Sequence, residues 1–358
     1  MHVLDLPYDI LCCIFRAVPD TATLLASLRV CRTFSEAALP CVYAQIVFDD
    51  GYKGRMGRAF RAIEARPHLR GYVRGVQHVA TDMYIDPAQF SWAEPLSKLH
   101  SLTSYTLSTP QRRLMQFVSL DFLTVAIHAL AQCPNLRHIR FDFHLTTSYF
   151  AVLYLLAALP RLRSVSFGRP SALFFVRLVP WLRAMPHLDG LHMMDMTELT
   201  VERLQAVLPE MANVTHLTLG PNHTFSSTAL LAVLESLPQL LDLTVYYYNF
   251  PDKDNTTHPP SQRLLPVLHT LAVHHQDVTS ASDFSALFTW LWDLCRHSPL
   301  RALEITSVDC SICDNPDELL EFVRAKEATL RHVAARHVYV KRDAATWEKS
   351  QDVQVVVV

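Results

Sequence analysis

Apolar residues recur along most of the chain in one short pattern. The segments CPNLRHIRF, LPRLRSVSF, MPHLDGLHM, MANVTHLTL and LPQLLDLTV align on anchors spaced by 26 residues, at Leu136, Leu162, Leu188, Val214 and Leu240. Later anchors follow after steps of 28, 32 and 30 residues, at Leu268, Leu300 and Leu330. Two upstream units are expected near Leu69 and Leu99. Within a unit, apolar residues stand three and five positions after the anchor, an alternation that predicts a β-strand.

Segments between these strands predict helices. TTSYFAVLYLLAALP, TVERLQAVLPEM and STALLAVLESLP each begin at Ser or Thr, and Asp314 or Asn315 is the expected cap of NPDELLEFVRAKEATL. A strand plus a helix every 26 to 32 residues is the geometry of leucine-rich repeats, whose stacked units share one core. The asparagine of the full consensus falls in place only at Asn222, so the array resembles the irregular, ribonuclease-inhibitor-like type. We predict an α/β solenoid with parallel strands on the concave face and helices on the convex face.

Two segments depart from the repeat. Residues 250–266, FPDKDNTTHPPSQRLLP, contain adjacent prolines and no helical stripe, so we expect a loop in place of a helix. The last repeat and a C-terminal cap are expected at about 328–358, where VQVVVV predicts a last strand at the solenoid edge. We interpret this strand as a cap for the array, and the alternative is an edge that binds a partner.

Residues 1–48 do not share the repeat and predict a small module of three helices. A broad apolar stripe at helix spacing follows Pro7 and comprises Ile10, Leu11, Ile14, Phe15 and Val18. Pro19 ends this first helix. The second helix is expected to have Thr21 or Thr23 as its cap, and the third, TFSEAALPCVY, is expected to stop at Pro40.

The solenoid is assigned to residues 49–358, with a joint at about 49–65. The joint contains GYKGRMG at 51–57, which has no clear strand-then-helix context, so we interpret it as flexible and not as a nucleotide-binding loop. Three short helices bury too little surface to be robust alone. We therefore expect the N-terminal module either to pack on the solenoid or to dock on another protein.

Composition and charge narrow the function classes. The 358 residues are 50% hydrophobic and carry a net charge of −2, which provides no basic surface for DNA or RNA. Eight cysteines are too few for a disulfide scaffold. The apolar runs are shorter than the roughly 18 residues that a membrane helix requires. We expect no signal peptide, no membrane contact and a cytoplasmic or nuclear location.

The N-terminal segment LPYDILCCIFRAVPDTATLLASLRVCRTFSEAAL resembles the F-box. The F-box pattern has Leu-Pro, an acidic residue, a hydrophobic helix, a turn near Pro-Asp, and then Leu-rich and Val-Cys-Arg-x-Phe segments. The matching residues are Leu6-Pro7, Ile10-Leu11, Ile14-Phe15, Leu24-Leu25, Leu28, Val30-Cys31-Arg32 and Phe34. Asp9 stands where Glu is common, and Phe34 stands where Trp is common. The solenoid, with GYVRGV after PHL, is similar to those of fungal F-box proteins.

This resemblance implies a substrate receptor that performs no chemistry itself. F-box proteins bind a Skp-family adaptor, which bridges to a cullin and a RING subunit, and other subunits transfer ubiquitin. The implied adaptor-binding residues are Leu6, Pro7, Ile10, Leu11, Ile14, Phe15, Val18, Leu28, Val30, Cys31 and Phe34. The chain would then be the substrate-recognition subunit of an SCF-type (Skp adaptor–cullin–F-box) ubiquitin ligase. The alternative is a non-catalytic scaffold whose F-box packs intramolecularly or acts outside ubiquitination.

Strand positions between and after the apolar ones predict the substrate-binding face. The expected residues are Arg140, Asp142, His192, His216, Tyr246, Tyr247, His274 and His275. The last four belong to a cluster of rings across two adjacent repeats, and tyrosine is favoured at binding hot spots. The alternative is that some of these rings pack under the 250–266 loop. The expected ligand is a protein substrate whose identity the residues do not specify.

No catalytic or cofactor chemistry is predicted. Cys310-Ser-Ile-Cys313 is a single CxxC, half of a zinc site without a second pair nearby, so we interpret it as a core or loop pair. Cys12 is expected to pack in the helical module and Cys13 to lie at its rim. No nucleophile elbow, HExxH or paired-carboxylate motif accompanies the 18 histidines. We expect no metal, no cofactor and no enzymatic activity.

Overall fold

A computed structural model describes residues 6–49, 56–80, 92–109, 118–145, 150–194, 200–222, 227–247, 265–275, 281–307, 316–326, 328–337, 340–343, 346–348 and 353–355. The chain divides into two compact units. The first unit comprises Met1–His144 and Ser148–Leu162, and the second comprises Leu145–Thr147 and Arg163–Val358.

Three short helices open the first unit: α1 Tyr8–Ala17, α2 Thr21–Ser27 and α3 Arg32–Ala44. The first helix ends before Pro19, as predicted. The cap of α2 is Asp20, whose carboxylate accepts hydrogen bonds from the backbone N–H groups of Ala22 at 3.1 Å and Thr23 at 2.7 Å. The prediction of Thr21 or Thr23 as this cap was wrong, because a carboxylate one position earlier reaches both orphan donors.

The third helix passes through Pro40 and does not stop there, contrary to the sequence-based expectation. A proline inside a helix costs about 3 kcal/mol or more. Apolar packing on both sides offsets this cost, since Ala37 and Ala38 before the proline and Cys41 and Val42 after it belong to the core of the helical module. The helix therefore continues to Ala44.

The helical module leads into a sheet without an intervening loop. Strand β1, Gln45–Asp49, follows α3 directly and pairs in parallel with β2, Gly75–Val79. The backbone N–H of Arg74 donates to the carbonyl of Ala44 at 2.9 Å. The predicted boundary after residue 48 thus falls inside β1. The segment expected as a joint holds helix α4, Met56–Ala65, which is followed by a 3₁₀ turn, Pro67–Tyr72.

Parallel strands continue in chain order through the first unit. Strand β2 pairs with β3, Ser104–Ser108, and β3 pairs with β4, His138–Leu145. The helices between and after these strands are α5 Ala93–Ser97, α6 Leu120–Leu130 and α7 Phe150–Ala157.

The second unit repeats the alternation of strand and helix. Its parallel strands, each paired with the next, are β5 Ser164–Pro170, β6 Gly190–Met193, β7 His216–Asn222, β8 Asp242–Tyr247, β9 Thr270–His275, β10 Ala302–Ser307 and β11 His332–His337. The helices are α8 Ala172–Ala184, α9 Val201–Val207 with the 3₁₀ turn Leu208–Met211, α10 Ser227–Leu234, α11 Ala281–Cys295 and α12 Pro316–Ala325.

The C-terminal segment adds a short hairpin and a last strand. Strands β12, Val340–Asp343, and β13, Thr346–Glu348, pair with each other in antiparallel fashion. Strand β14, Val353–Val355, pairs antiparallel with β11 at the end of the strand order. The last strand predicted from VQVVVV is therefore confirmed. Most of the loop predicted at 250–266 lies outside the described residues.

The repeat anchors form the core of both units. All ten predicted anchors are buried, and the eight from Leu136 to Leu330 each precede their strand by two residues. The strand pairs Gly75 with Ser104 and Ser104 with His138 show that the corresponding anchors upstream are Val73 and Leu102. The predicted Leu69 and Leu99 are buried, but they belong to the turns before these anchors.

One core position of the first unit is occupied by a histidine. His78 stands in register with Leu107 and is fully buried. Its Nδ1 lies 3.0 Å from the Tyr105 hydroxyl, and its ring packs against those of Trp92 and Phe122 at centroid distances of 5.2 and 4.9 Å. The hydrogen bond lets a polar ring occupy a position that other repeats give to aliphatic or aromatic residues.

A ladder of backbone hydrogen bonds closes the turns that lead into the strands. The Arg163 carbonyl accepts from the N–H groups of Asp189 and Gly190 at 2.8 and 3.0 Å, and the Asp189 carbonyl accepts from Thr215 and His216 at 2.8 and 2.9 Å. The same pattern continues to His332, and in the first unit it runs from Arg74 to His138. The peptide groups of each turn thus satisfy those of the next, which explains how the repeat dispenses with an asparagine ladder.

These elements confirm the predicted fold class. A short helical module precedes parallel strands, and helices connect successive strands through both units. The order of strands follows the order of the sequence, as it does in stacked strand–helix repeats.

Gly190→Ala tests how closely adjacent strands approach. A Cβ at this position would lie 2.8 Å from both Cβ and Oγ of Ser164, so the strands must separate or the serine must move. We expect the free energy of unfolding to fall by roughly 1–3 kcal/mol, the usual cost of overpacking, as measured by urea denaturation. Gly71→Ala is the control, because a Cβ there meets nothing within 4 Å. Equal stabilities of the two variants would contradict the prediction.

Candidate functional site

The inward face of α1 completes the interior of the helical module. Leu11 and Phe15 are 1% and 5% exposed and form a core with residues of α2 and α3. Phe15 also meets Phe34 edge-to-face, with ring centroids 5.3 Å apart. The other members of this cluster are buried Leu24, Ala37 and Ala38 and partly buried Leu6, Cys12, Val18, Leu28, Phe34, Cys41 and Val42. The module therefore has a filled interior of its own.

The outward face of the module carries large apolar side chains in water. Ile10 and Ile14 are each 44% exposed, one helical turn apart on α1, and Leu25 and Val30 are 48% and 63% exposed. Tyr8 is half-exposed, and its hydroxyl donates to the Glu36 carbonyl at 3.2 Å. We call Ile10, Ile14, Leu25 and Val30 the exposed apolar set.

The residues predicted to bind an adaptor divide between these two faces. Leu11 and Phe15 are buried, Leu6, Val18, Leu28, Cys31 and Phe34 are half-buried, and Pro7, Ile10, Ile14 and Val30 are exposed. Cys31 begins α3, where its sulfur lies 3.5 Å from the Phe34 backbone nitrogen. Leu25 was missed as a surface residue. Its position next to Leu24 is the signal, since adjacent helical residues cannot both face one core.

The helical module packs against the remainder of the first unit through α3. This helix contacts the 3₁₀ turn Pro67–Tyr72 and runs directly into β1. The side chain of Gln45 lies over Gly75, so close that a Cβ there would be 2.1 Å from its Oε1. The exposed apolar set lies on α1, on α2 and in the turn after α2, and it stays accessible in this arrangement.

In the second unit, the strand positions that alternate with the core form a polar face. His192 links three strands there: its Nε2 lies 3.1 Å from the Ser164 hydroxyl, and its Nδ1 lies 2.7 Å from the Thr218 hydroxyl. His216 Nε2 lies 2.7 Å from the Asp242 carboxylate on the next strand. Two of the predicted substrate-binding residues are therefore held by cross-strand contacts.

Two further predicted residues form a stacked pair. The rings of Tyr246 and His274 lie on neighbouring strands, with centroids 4.3 Å apart and planes inclined by 18°. Tyr247 and His275 pair through their backbones on the same strands, and their side chains lie outside the described part. In the first unit, Arg140 Nη2 lies 3.1 Å from the carboxylate of Asp142 on the same strand.

Burial sets the chemistry of the described cysteines. Desolvation raises the pKa of Cys133 and of Cys295 to about 12, so both remain protonated thiols at neutral pH. Cys12 is half-buried against the module core, and Cys13 is exposed. Among the described residues, no group of three or more His, Cys, Asp or Glu side chains could hold a metal. Cys310 and Cys313 lie outside these residues.

No helix within the described ranges is long and apolar enough to cross a membrane.

Comparison with known families identifies the N-terminal module. Residues 3–49 match the F-box-like family, a span that covers α1, α2, α3 and β1. The chain matches no protein of curated function significantly. The rest of the chain is therefore described by its own geometry.

Thiol alkylation provides a check on these environments. We expect iodoacetamide to modify Cys13 in the folded chain and to leave Cys133 and Cys295 unmodified, because the latter two are buried and lack thiolate. Peptide mass spectrometry after a short exposure gives the modified fraction of each residue. The urea-unfolded chain is the control, in which all three should react. Equal rates for Cys133 and Cys13 in the folded chain would disprove the assignment.

Proposed function

We propose that this protein is the substrate-recognition subunit of an SCF-type ubiquitin ligase. The F-box-like module would bind a Skp-family adaptor and, through it, a cullin, while the repeat region would bind a protein substrate. The observation that carries this proposal is the exposed apolar set on a module that matches the F-box-like family. In this role the protein performs no chemistry itself and acts in the cytoplasm or the nucleus.

The exposed apolar set supports docking on a second protein. The module already has a filled core, so its four outward apolar side chains are not needed to complete the interior. Fully burying one isoleucine or valine side chain contributes about 1.5–3 kcal/mol. Covering four half-exposed side chains therefore supplies a large part of the free energy of a stable complex.

The repeat region supports substrate binding by its architecture. We propose that it is a leucine-rich-repeat solenoid of the kind attached to fungal F-boxes, with its strands on a concave face. Support comes from the buried anchors, the strand two residues later and the intervening helices. The polar face includes the predicted His192, His216, Tyr246 and His274, whose side chains are half-buried or exposed. Such a surface offers hydrogen-bonding groups and rings to a partner.

A second candidate function is a scaffold whose F-box acts within the chain. The contact of α3 with the 3₁₀ turn and its continuation into β1 favour this reading. The two candidates assign different faces, because the scaffold uses α3 and the ligase subunit uses α1 and α2. Deleting residues 1–48 does not separate them, since it also removes most of β1 from the sheet.

The double variant Ile10→Asp/Ile14→Asp separates the two candidates. We expect the wild-type chain to bind a purified Skp-family adaptor in biolayer interferometry. The double variant should lose about 100-fold in affinity, because two charges would enter an apolar interface. Both residues are half-exposed, so the melting temperature should change little. Val176→Asp is the matched control, since Val176 is a 65% exposed residue on α8. Wild-type chain that fails to bind, or unchanged binding by the double variant, would favour the scaffold.

A further inference from the structure

A patch on the polar face of β8, β9 and β10 combines rings, carboxylates and very short side chains. Strand pairing places its nine positions in three rows, which are Asp242, Thr270 and Ala302; Thr244, Ala272 and Glu304; and Tyr246, His274 and Thr306. The residues between them on each strand, such as Val245 and Val273, are buried in the core. The nine side chains therefore share the opposite face. We call them the β8–β10 patch.

The stacked rings form one wall of this patch. Tyr246 and His274 are in register on adjacent strands, and their rings are almost parallel at a centroid distance of 4.3 Å. Both residues are half-buried, which leaves part of each ring accessible. A stacked pair of this kind is ordered before a ligand arrives, so binding does not have to immobilise it.

Short side chains form a depression beside the rings. Ala272 lies between Thr244 and Glu304 in the middle row, and Ala302 lies in the row before it. The methyl group of Ala272 is only 9% exposed, although it belongs to the polar face. Taller neighbours therefore surround it, and a side chain that entered from solvent would meet Ala272 as the floor.

The charge of the patch is negative. Asp242 and Glu304 stand on the two strands that flank β9, and none of the nine residues is Lys or Arg. Asp242 is held by His216 at 2.7 Å, which fixes the carboxylate in place. The nearest basic residues on the following turns and strand are Arg301, Arg331 and Arg336, outside the nine positions. With histidine counted as neutral, the patch carries two negative charges.

We propose that the β8–β10 patch binds an arginine side chain on an extended basic segment of the partner protein. The guanidinium is planar and can stack on the Tyr246–His274 wall, while its N–H groups donate to Glu304 and to the threonine hydroxyls. An acidic or phosphorylated segment would be repelled by the two carboxylates. An apolar segment would bury them without partners. This inference rests on the proposed function, because it names the substrate class of the repeat region.

Fixed-residue peptide libraries test the proposal on the full-length chain. Twelve-residue peptides would carry Arg, Lys, Gln, Glu, phosphoserine or Leu at the central position and random residues elsewhere. We expect enrichment of the arginine library by about fivefold over the glutamine library at low salt. The enrichment should weaken when the NaCl concentration rises, because screening reduces charge attraction. Enrichment of Glu, phosphoserine or Leu, equal retention of Lys and Arg, or no enrichment at all would overturn the proposal.

Matched variants assign the effect to the patch. Glu304→Gln and Tyr246→Ala should each abolish the preference for arginine, whereas Tyr246→Phe, which keeps the ring, should retain it. The controls are Glu321→Gln, an exposed carboxylate on α12, and Tyr154→Ala, an exposed tyrosine on α7. An arginine preference that survives both Glu304→Gln and Tyr246→Ala would also overturn the proposal.

Adaptor capture on the same protein separates this inference from the proposed function. Loss of arginine selectivity with intact capture of the Skp-family adaptor would refute the patch alone. Failure of adaptor capture with intact arginine selectivity would refute the ligase role and leave the patch as a binding site.

Discussion

The structure depends on the backbone ladder at the starts of the strands. In each turn of the ladder one carbonyl accepts two N–H groups from the following turn, at 2.7–3.0 Å in the second unit. This sharing holds neighbouring turns in register and leaves no requirement for a particular side chain. The buried anchor two residues before each strand then fixes which face of the strand points to the core. Repeats can therefore differ in length between the strands while the sheet continues unchanged.

The same sheet determines how the helical module is attached. Because α3 ends at Ala44 and β1 begins at Gln45, the module continues into the first strand of the array. The bond from the Arg74 N–H to the Ala44 carbonyl extends the pairing back to the last residue of α3. An attachment of this kind has no free linker that could rotate. Within the first unit, the exposed apolar set is thereby held in a constant orientation relative to β1 and β2.

Sequence patterns predicted the repeated elements well and the exceptions poorly. The eight anchors from Leu136 onward follow a nearly constant spacing, and their strands lie where the spacing requires. Val73 and Leu102 were missed because 29 residues separate them and 34 residues separate Leu102 from Leu136, and nearby leucines offered alternative registers. The helical stripe of α1 could not distinguish Leu11 from Ile10, since a helix of this size buries one part of its apolar surface and exposes the other. Pro40 was taken as a stop because the packing that offsets its cost involves residues distant in sequence.

Both candidate surfaces are ordered by contacts that do not involve a partner. Leu11 and Phe15 lock α1 from below, so Ile10 and Ile14 project from a helix whose orientation is already fixed. On the polar face, cross-strand contacts hold His192 and His216, and stacking holds the rings beside the depression at Ala272. Ordering side chains before association lowers the entropic cost of binding. The positions that make the fold and the positions that can recognise a partner alternate along the same strands, so either set can change in sequence without disturbing the other.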